Sequence, residues 1–124
     1  MPVIKINTSD RATKDHIRKI YDGIYSKIPE CINADIEGIK VLIAEYPAEC
    51  ICPSNAGHMQ KGFTLIEVSM WKGRTCEQKR DMCSVLTGII SEGLNIDKCG
   101  VWLTINEFDK SNWGKGGFLC DSPG

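Results

Sequence analysis

The feature that most constrains this chain is that it is built twice. Residues about 2–48 and 63–108 each read as a β-branched strand, an amphipathic helix and a second strand. In the first unit, Val3 to Ile6 and Ile39 to Ala44 flank a helix opening near Thr13, with Ile17, Ile20, Tyr21, Ile24 and Ile28 on one stripe. Pro29 is expected to stop that helix. In the second unit, Phe63 to Met70 and Val101 to Asn106 flank a helix whose stripe is Met82, Val85, Leu86, Ile89 and Ile90. Thr75 followed by Gln78 is a capping box that fixes its start.

Smaller features recur at a nearly constant offset. Arg11 matches Arg74, Ile43-Ala44-Glu45-Tyr46 matches Ile105-Asn106-Glu107-Phe108, and Ser54-Asn55-Ala56-Gly57 matches Ser111-Asn112-Trp113-Gly114. Gly23 and Gly88 each fall inside a helix, where glycine costs about 1 kcal/mol relative to alanine, so close packing against the sheet is expected at both. A helix between two strands is the crossover that parallel strands need. The expected fold is therefore α/β (α+β): one domain, in which the duplicated β-α-β units form a four-stranded mixed sheet with two helices on one face. A linking segment joins the units, and a C-terminal hairpin or tail follows. The other face needs cover, which association with further copies supplies most simply.

Composition narrows the classes. At 124 residues, with 42% hydrophobic and 25% charged, the chain suffices for one ordinary core. A formal net charge of −1, without a basic stripe, gives no footprint for nucleic acid or anionic lipid. The first residues lack the charged and apolar regions of an export signal, so a soluble cytoplasmic protein is expected. The seven cysteines are read as reduced thiols, with Cys83 and Cys99 acting as small hydrophobes. Cys50-x-Cys52 with His58 lacks the second ligand pair of a structural zinc site, so neither metal nor cofactor is expected.

Chemistry centres on Met1-Pro2. Cleavage after Met1 exposes Pro2 as a secondary amine, whose pKa burial can bring toward neutrality so that it serves as a general base. Arg74 lies at a strand-to-helix junction, where a guanidinium and a helix N-terminus together suit a carboxylate. Glu37 reads as either a solvated loop carboxylate or a water-handling group.

Pro2 before a short strand, the segment Lys72-Gly73-Arg74-Thr75-x-Glu77-Gln78-Lys79, and Asn112-Trp113-Gly114-Lys115-Gly116-Gly117 resemble the tautomerase superfamily, in its 4-oxalocrotonate tautomerase branch. The resemblance covers essentially the whole chain and is to fused, duplicated members. It implies a homotrimer with Pro2 as the catalytic base or acid, Arg74 as the carboxylate-binding arginine and Trp113 as an aromatic wall. Arg11 matches the same motif position in the first half, and Lys72 is expected to steady charge on a 2-oxygen. Trp102 stands where the short tautomerase has a second arginine. Against malonate semialdehyde decarboxylases, Lys72 and Arg74 match the paired arginines and Glu37 the water-handling aspartate.

The expected activity is keto-enol tautomerisation of a small 2-oxo or 2-hydroxy-enoic acid. The alternatives are decarboxylation or hydration of a 3-oxo or 3-substituted acrylic acid by protonated Pro2, and a non-catalytic trimer that keeps Met1.

Overall fold

The computed structural model describes residues 1–9, 12–51 and 62–121. Arg11, Cys52, His58 and the Ser54–Gly57 repeat lie outside these residues. In chain order the elements are β1 (Val3–Ser9), α1 (Lys14–Cys31), β2 (Lys40–Tyr46), β3 (Thr64–Trp71), α2 (Cys76–Leu94), β4 (Val101–Phe108) and a short hairpin of β5 (Gly114–Lys115) and β6 (Phe118–Leu119). The sheet order is β2-β1-β3-β4. Each unit supplies one parallel pair, β1 with β2 and β3 with β4. The units join by the antiparallel β1–β3 pair, in which Val3 faces Ser69 and Ile6 faces Ile66.

That join decides where everything else lies. The beginnings of β1 and β2 and the ends of β3 and β4 share one end of the sheet, and the β5–β6 hairpin follows β4 at that end.

Strand alternation sends Ile4, Ile6, Thr64, Ile66, Val68 and Met70 to the helix-covered face, where all are buried. They form the core with Ile20, Ile24 and Ile28 of α1 and Met82, Leu86, Ile89 and Ile90 of α2. Burying each large apolar side chain contributes about 1.5–3 kcal/mol. On the opposite face Asn7 donates to Glu67 Oε1 (2.8 Å) and the Leu65 carbonyl (3.1 Å), and accepts from the Tyr46 hydroxyl (2.9 Å). Leu42 and Trp102 stay 56% and 63% exposed, so this chain alone leaves large apolar side chains in solvent.

Both helices open as expected, at Thr13 and Thr75. Gln78 completes the second capping box. His16 completes the first, its Nδ1 accepting from the Thr13 N–H (3.2 Å), a role usually given to Glu or Gln. Pro29 does not stop α1, which runs on to Cys31. Proline removes one N–H, and in the last turn that loss is small beside the burial of Ile28 and Ile32. Cys99 is exposed in a turn, not packed; Cys83 is half-buried. Both thiols are free, as are Cys31, Cys50, Cys76 and Cys120. Among the described residues no helix is long and apolar enough to cross a membrane.

The helix glycines behave differently from the sequence expectation. A Cβ on Gly23 would lie 3.0 Å from Ile89 Cγ2, so the close approach is to the other helix and not to the sheet. Its counterpart is Gly93, where a Cβ would lie 2.9 Å from Ile20 Cγ1; Gly88 faces open space. The helices therefore cross antiparallel, each glycine receiving an isoleucine of its neighbour.

Gly88→Ala is expected to raise stability by about 0.5–1 kcal/mol from helix propensity alone. Gly93→Ala is expected to lower it, because overpacking of about 1–3 kcal/mol exceeds that gain. Thermal unfolding at one fixed protein concentration checks the opposite signs.

Candidate active site

The chain's first residues lie at the sheet end where β3 and β4 finish. Pro2 is buried, and its carbonyl accepts from the Lys40 N–H (3.0 Å), the first rung of the β1–β2 ladder. The Met1 amine donates to the Gly38 carbonyl. Its pKa is pushed below the ordinary 8.0, first by burial, then by the positive charges of Lys115, Arg74 and Lys40; Asp35 opposes them.

Three cations thus converge on the start of the chain from three elements. Arg74 comes from the turn after β3, Lys40 from the first residue of β2 and Lys115 from the hairpin. Arg74 Nε donates weakly, at 3.4 Å, to the Ile32 carbonyl just past α1. Among the described residues none of the three has a carboxylate within ion-pair distance. The ion pairs found are Lys72 with Asp109 (3.4 Å) and Lys79 with Glu107 (2.6 Å).

The hairpin is seated by aromatic rings. Trp113 meets Trp71 edge-on with centroids 6.5 Å apart and Phe108 at 5.8 Å, and Lys110 Nζ lies 4.8 Å from the Trp71 ring centre. The Cys120 N–H closes the hairpin base on the Trp113 carbonyl (2.9 Å). Trp71 Nε1 is buried without a hydrogen-bond partner, an unsatisfied donor beside these rings.

Of the residues singled out from sequence, Arg74 bears by its charge on the Met1 amine, next to Pro2. Trp113 sits at the same end of the sheet. Lys72 is exposed and turned to Asp109, and it is not among the charges that bear on the Met1 amine. Glu37 is exposed in the Ile36–Gly38 turn, with its N–H on Asp35 Oδ1 (3.2 Å). The acid that acts on the amine is Asp35, two residues earlier. Arg11 lies outside the described residues; its neighbours Ser9 and Ala12 line a cavity of about 230 Å³ at the opposite end of the sheet. Sequence reasoning missed Lys40, Asp35 and Lys115. Lys40 was legible as the first residue of the strand beside Pro2, and Lys115 as the one charge in a run of glycines.

A family model described as Tautomerase enzyme matches residues 47–116, more than half of the chain. The chain belongs to the tautomerase family. A search of the curated proteins gave no match. Among solved structures the chain is similar to native fused 4-OT, at 21% identity over 96% of each chain with a TM-score of 0.87. It is also similar to the F6 fused 4-OT, an asymmetric trimer, at 18% identity over 96% of each chain with a TM-score of 0.85. FG41 malonate semialdehyde decarboxylase shares the fold at 19% identity and a TM-score of 0.77, over 96% of this chain and 92% of that one. At these identities the likeness establishes the tautomerase fold: duplicated β-α-β units and a mixed four-stranded sheet.

A lowered amine pKa has a signed consequence for the chain that keeps Met1. Unfolded, the amine binds its proton below 8.0; folded, it binds only below a lower pH. Between those two values the unfolded state holds more protons, so this group's contribution to stability rises with pH and is lost as pH falls. Lys115→Ala is expected to narrow that window from below. Unfolding midpoints measured against pH for both proteins check it.

Proposed function

We propose that the chain is a keto-enol tautomerase acting on a small 2-oxo or 2-hydroxy-enoic acid, with Pro2, freed by removal of Met1, as its general base. The observation that carries this reading is the depressed pKa of the amine at the start of the chain. Pro2 is the next residue along the chain, so a Pro2 amine lies close to the same charges. A neutral secondary amine can take the enol hydroxyl proton or the α-proton and return it to carbon. Arg74 holds the substrate carboxylate and keeps the reacting carbon near the amine. Trp113, packed on Trp71 and Phe108, walls off water. Lys72 takes a lesser part than its sequence position implied, because Asp109 competes for it.

The same field bears on the decarboxylase or hydratase reading. That chemistry needs a protonated proline, and cations beside a buried amine oppose protonation. Glu37 is exposed, and the acid whose charge acts on the amine is Asp35 instead.

The assembly is proposed to be a homotrimer. Support comes from the uncovered apolar side chains Leu42 and Trp102 on the outer sheet face and from the trimeric form of the F6 fused 4-OT. The free thiols fit a reducing compartment, so a cytoplasmic location is proposed.

Ketonisation of phenylenolpyruvate by protein lacking Met1 tests the reading. Pro2→Ala is expected to lose about 10²–10⁴-fold in kcat, the range of a positioned base. Arg74→Ala is expected to lose at least about tenfold in kcat/KM, the share of a charge-assisted hydrogen bond. Equal rates for wild type and Pro2→Ala would overturn it.

A further inference from the structure

Arg74 is held from behind by the end of α1. Its Nε donates at 3.4 Å to the Ile32 carbonyl, at the cap of that helix. The last carbonyls of a helix have no partner within it, and the negative end of the helix dipole suits a guanidinium. A guanidinium can grip a carboxylate through Nε and one Nη, or through its two Nη groups together. With Nε given to Ile32, the two Nη groups are left, and among the described residues they make no hydrogen bond or ion pair.

The Ile32 carbonyl is aimed by the residues around it. Its own side chain is 1% exposed and packed in the core, which anchors the backbone there. Asn33 then turns the chain through the left-handed region, with φ 51°, and the Ala34 N–H closes back on the Pro29 carbonyl (2.9 Å). Helices often end on such a turn, most often with glycine at the left-handed position and sometimes with asparagine. Asn33 is exposed, so core packing does not explain it and the turn does. The turn after α2 is built alike: Asn95 has φ 54°, and the Ile96 N–H bonds the Ser91 carbonyl (3.0 Å). That second turn borders the cavity at the other end of the sheet from Arg74.

We propose that Asn33 is a positioning residue: its left-handed turn aims the Ile32 carbonyl at Arg74 Nε, and so presents the two terminal nitrogens of the guanidinium to the substrate carboxylate. The proposal rests on the proposed function for Arg74 as carboxylate anchor, and not on the proton-transfer role of Pro2.

The test is a double-mutant cycle between positions 33 and 74. Binding of 2-oxopentanoate to protein lacking Met1 is read by quenching of tryptophan fluorescence, which needs no turnover. Arg74→Ala is expected to weaken binding by about tenfold, the share of a charge-assisted hydrogen bond. Asn33→Val, whose β-branched side chain resists a positive φ, is expected to weaken it by about fivefold, less than Arg74→Ala because it acts through that residue. Asn33→Gly is expected to bind as wild type does, since glycine adopts the same turn. In the Arg74→Ala background, Asn33→Val is expected to add no further loss. Asn95→Val is expected to lower the unfolding midpoint as Asn33→Val does, while leaving binding unchanged. Should Asn33→Val not fold, the less strained Asn33→Ala takes its place in the cycle with a smaller loss. Unchanged binding in the strained variant, a loss in Asn33→Gly, an equal loss in Asn95→Val, or a further loss on top of Arg74→Ala overturns the proposal. So does unchanged binding in Arg74→Ala, which would put the carboxylate elsewhere. Pro2→Ala separates the two readings: if Pro2 is not the base, that variant keeps its ketonisation rate, whereas the binding cycle reports on Asn33 and Arg74 alone.

Discussion

The antiparallel pairing of β1 with β3 is the interaction on which the rest of the molecule depends. Each β-α-β unit could form its own parallel pair without it, but each would leave a bare strand edge and half a core. With Ile6 opposite Ile66, the two edges close on each other and the isoleucines of α1 and α2 share one apolar layer. The same pairing turns the second unit end for end. The end of β3 therefore comes back to the beginning of β1, and Arg74, in the turn after β3, lies at the same end of the sheet as Pro2 without a long loop.

This arrangement makes the two halves alike in fold and unlike in chemistry. The position matching Pro2 in the second unit opens β3, in mid-chain, where the backbone nitrogen is an amide. Only one end of the sheet can hold a terminal amine. Lys40, Arg74 and Lys115 bear on that end, whereas the cavity at the opposite end is lined among others by Thr8, Ser9, His16, Phe63 and Asn95. The duplication supplies the scaffold, and the terminal amine sets one end apart from the other.

Much of this could be read in the sequence, because local rules and the repeat agree. Thr75 with Gln78 marked a helix start, the isoleucine and methionine stripes marked the core, and the repeat implied parallel pairs within a four-stranded mixed sheet. What was misread involved tertiary context. Pro29 is tolerated because burial of Ile28 and Ile32 outweighs one missing hydrogen bond. Gly88 matched Gly23 by sequence, yet Gly93 is the one that receives an isoleucine, since helix-to-helix register is set by packing and not by offset. Within the site, Arg74 was legible from its junction. Lys40 and Lys115 were legible by position yet passed over; Asp35 was not legible, because it acts on the amine through space from a turn that sequence spacing does not connect to it.

The central claim is that the amine of Pro2 is neutral at working pH because of where the fold puts it. Titration of the Pro2 nitrogen by ¹⁵N NMR, in protein whose Met1 has been removed, measures this directly. A pKa below the ordinary α-amine range of about 7.7–8.0 is the predicted result. A value well above 8 would leave the proline protonated and contradict the account.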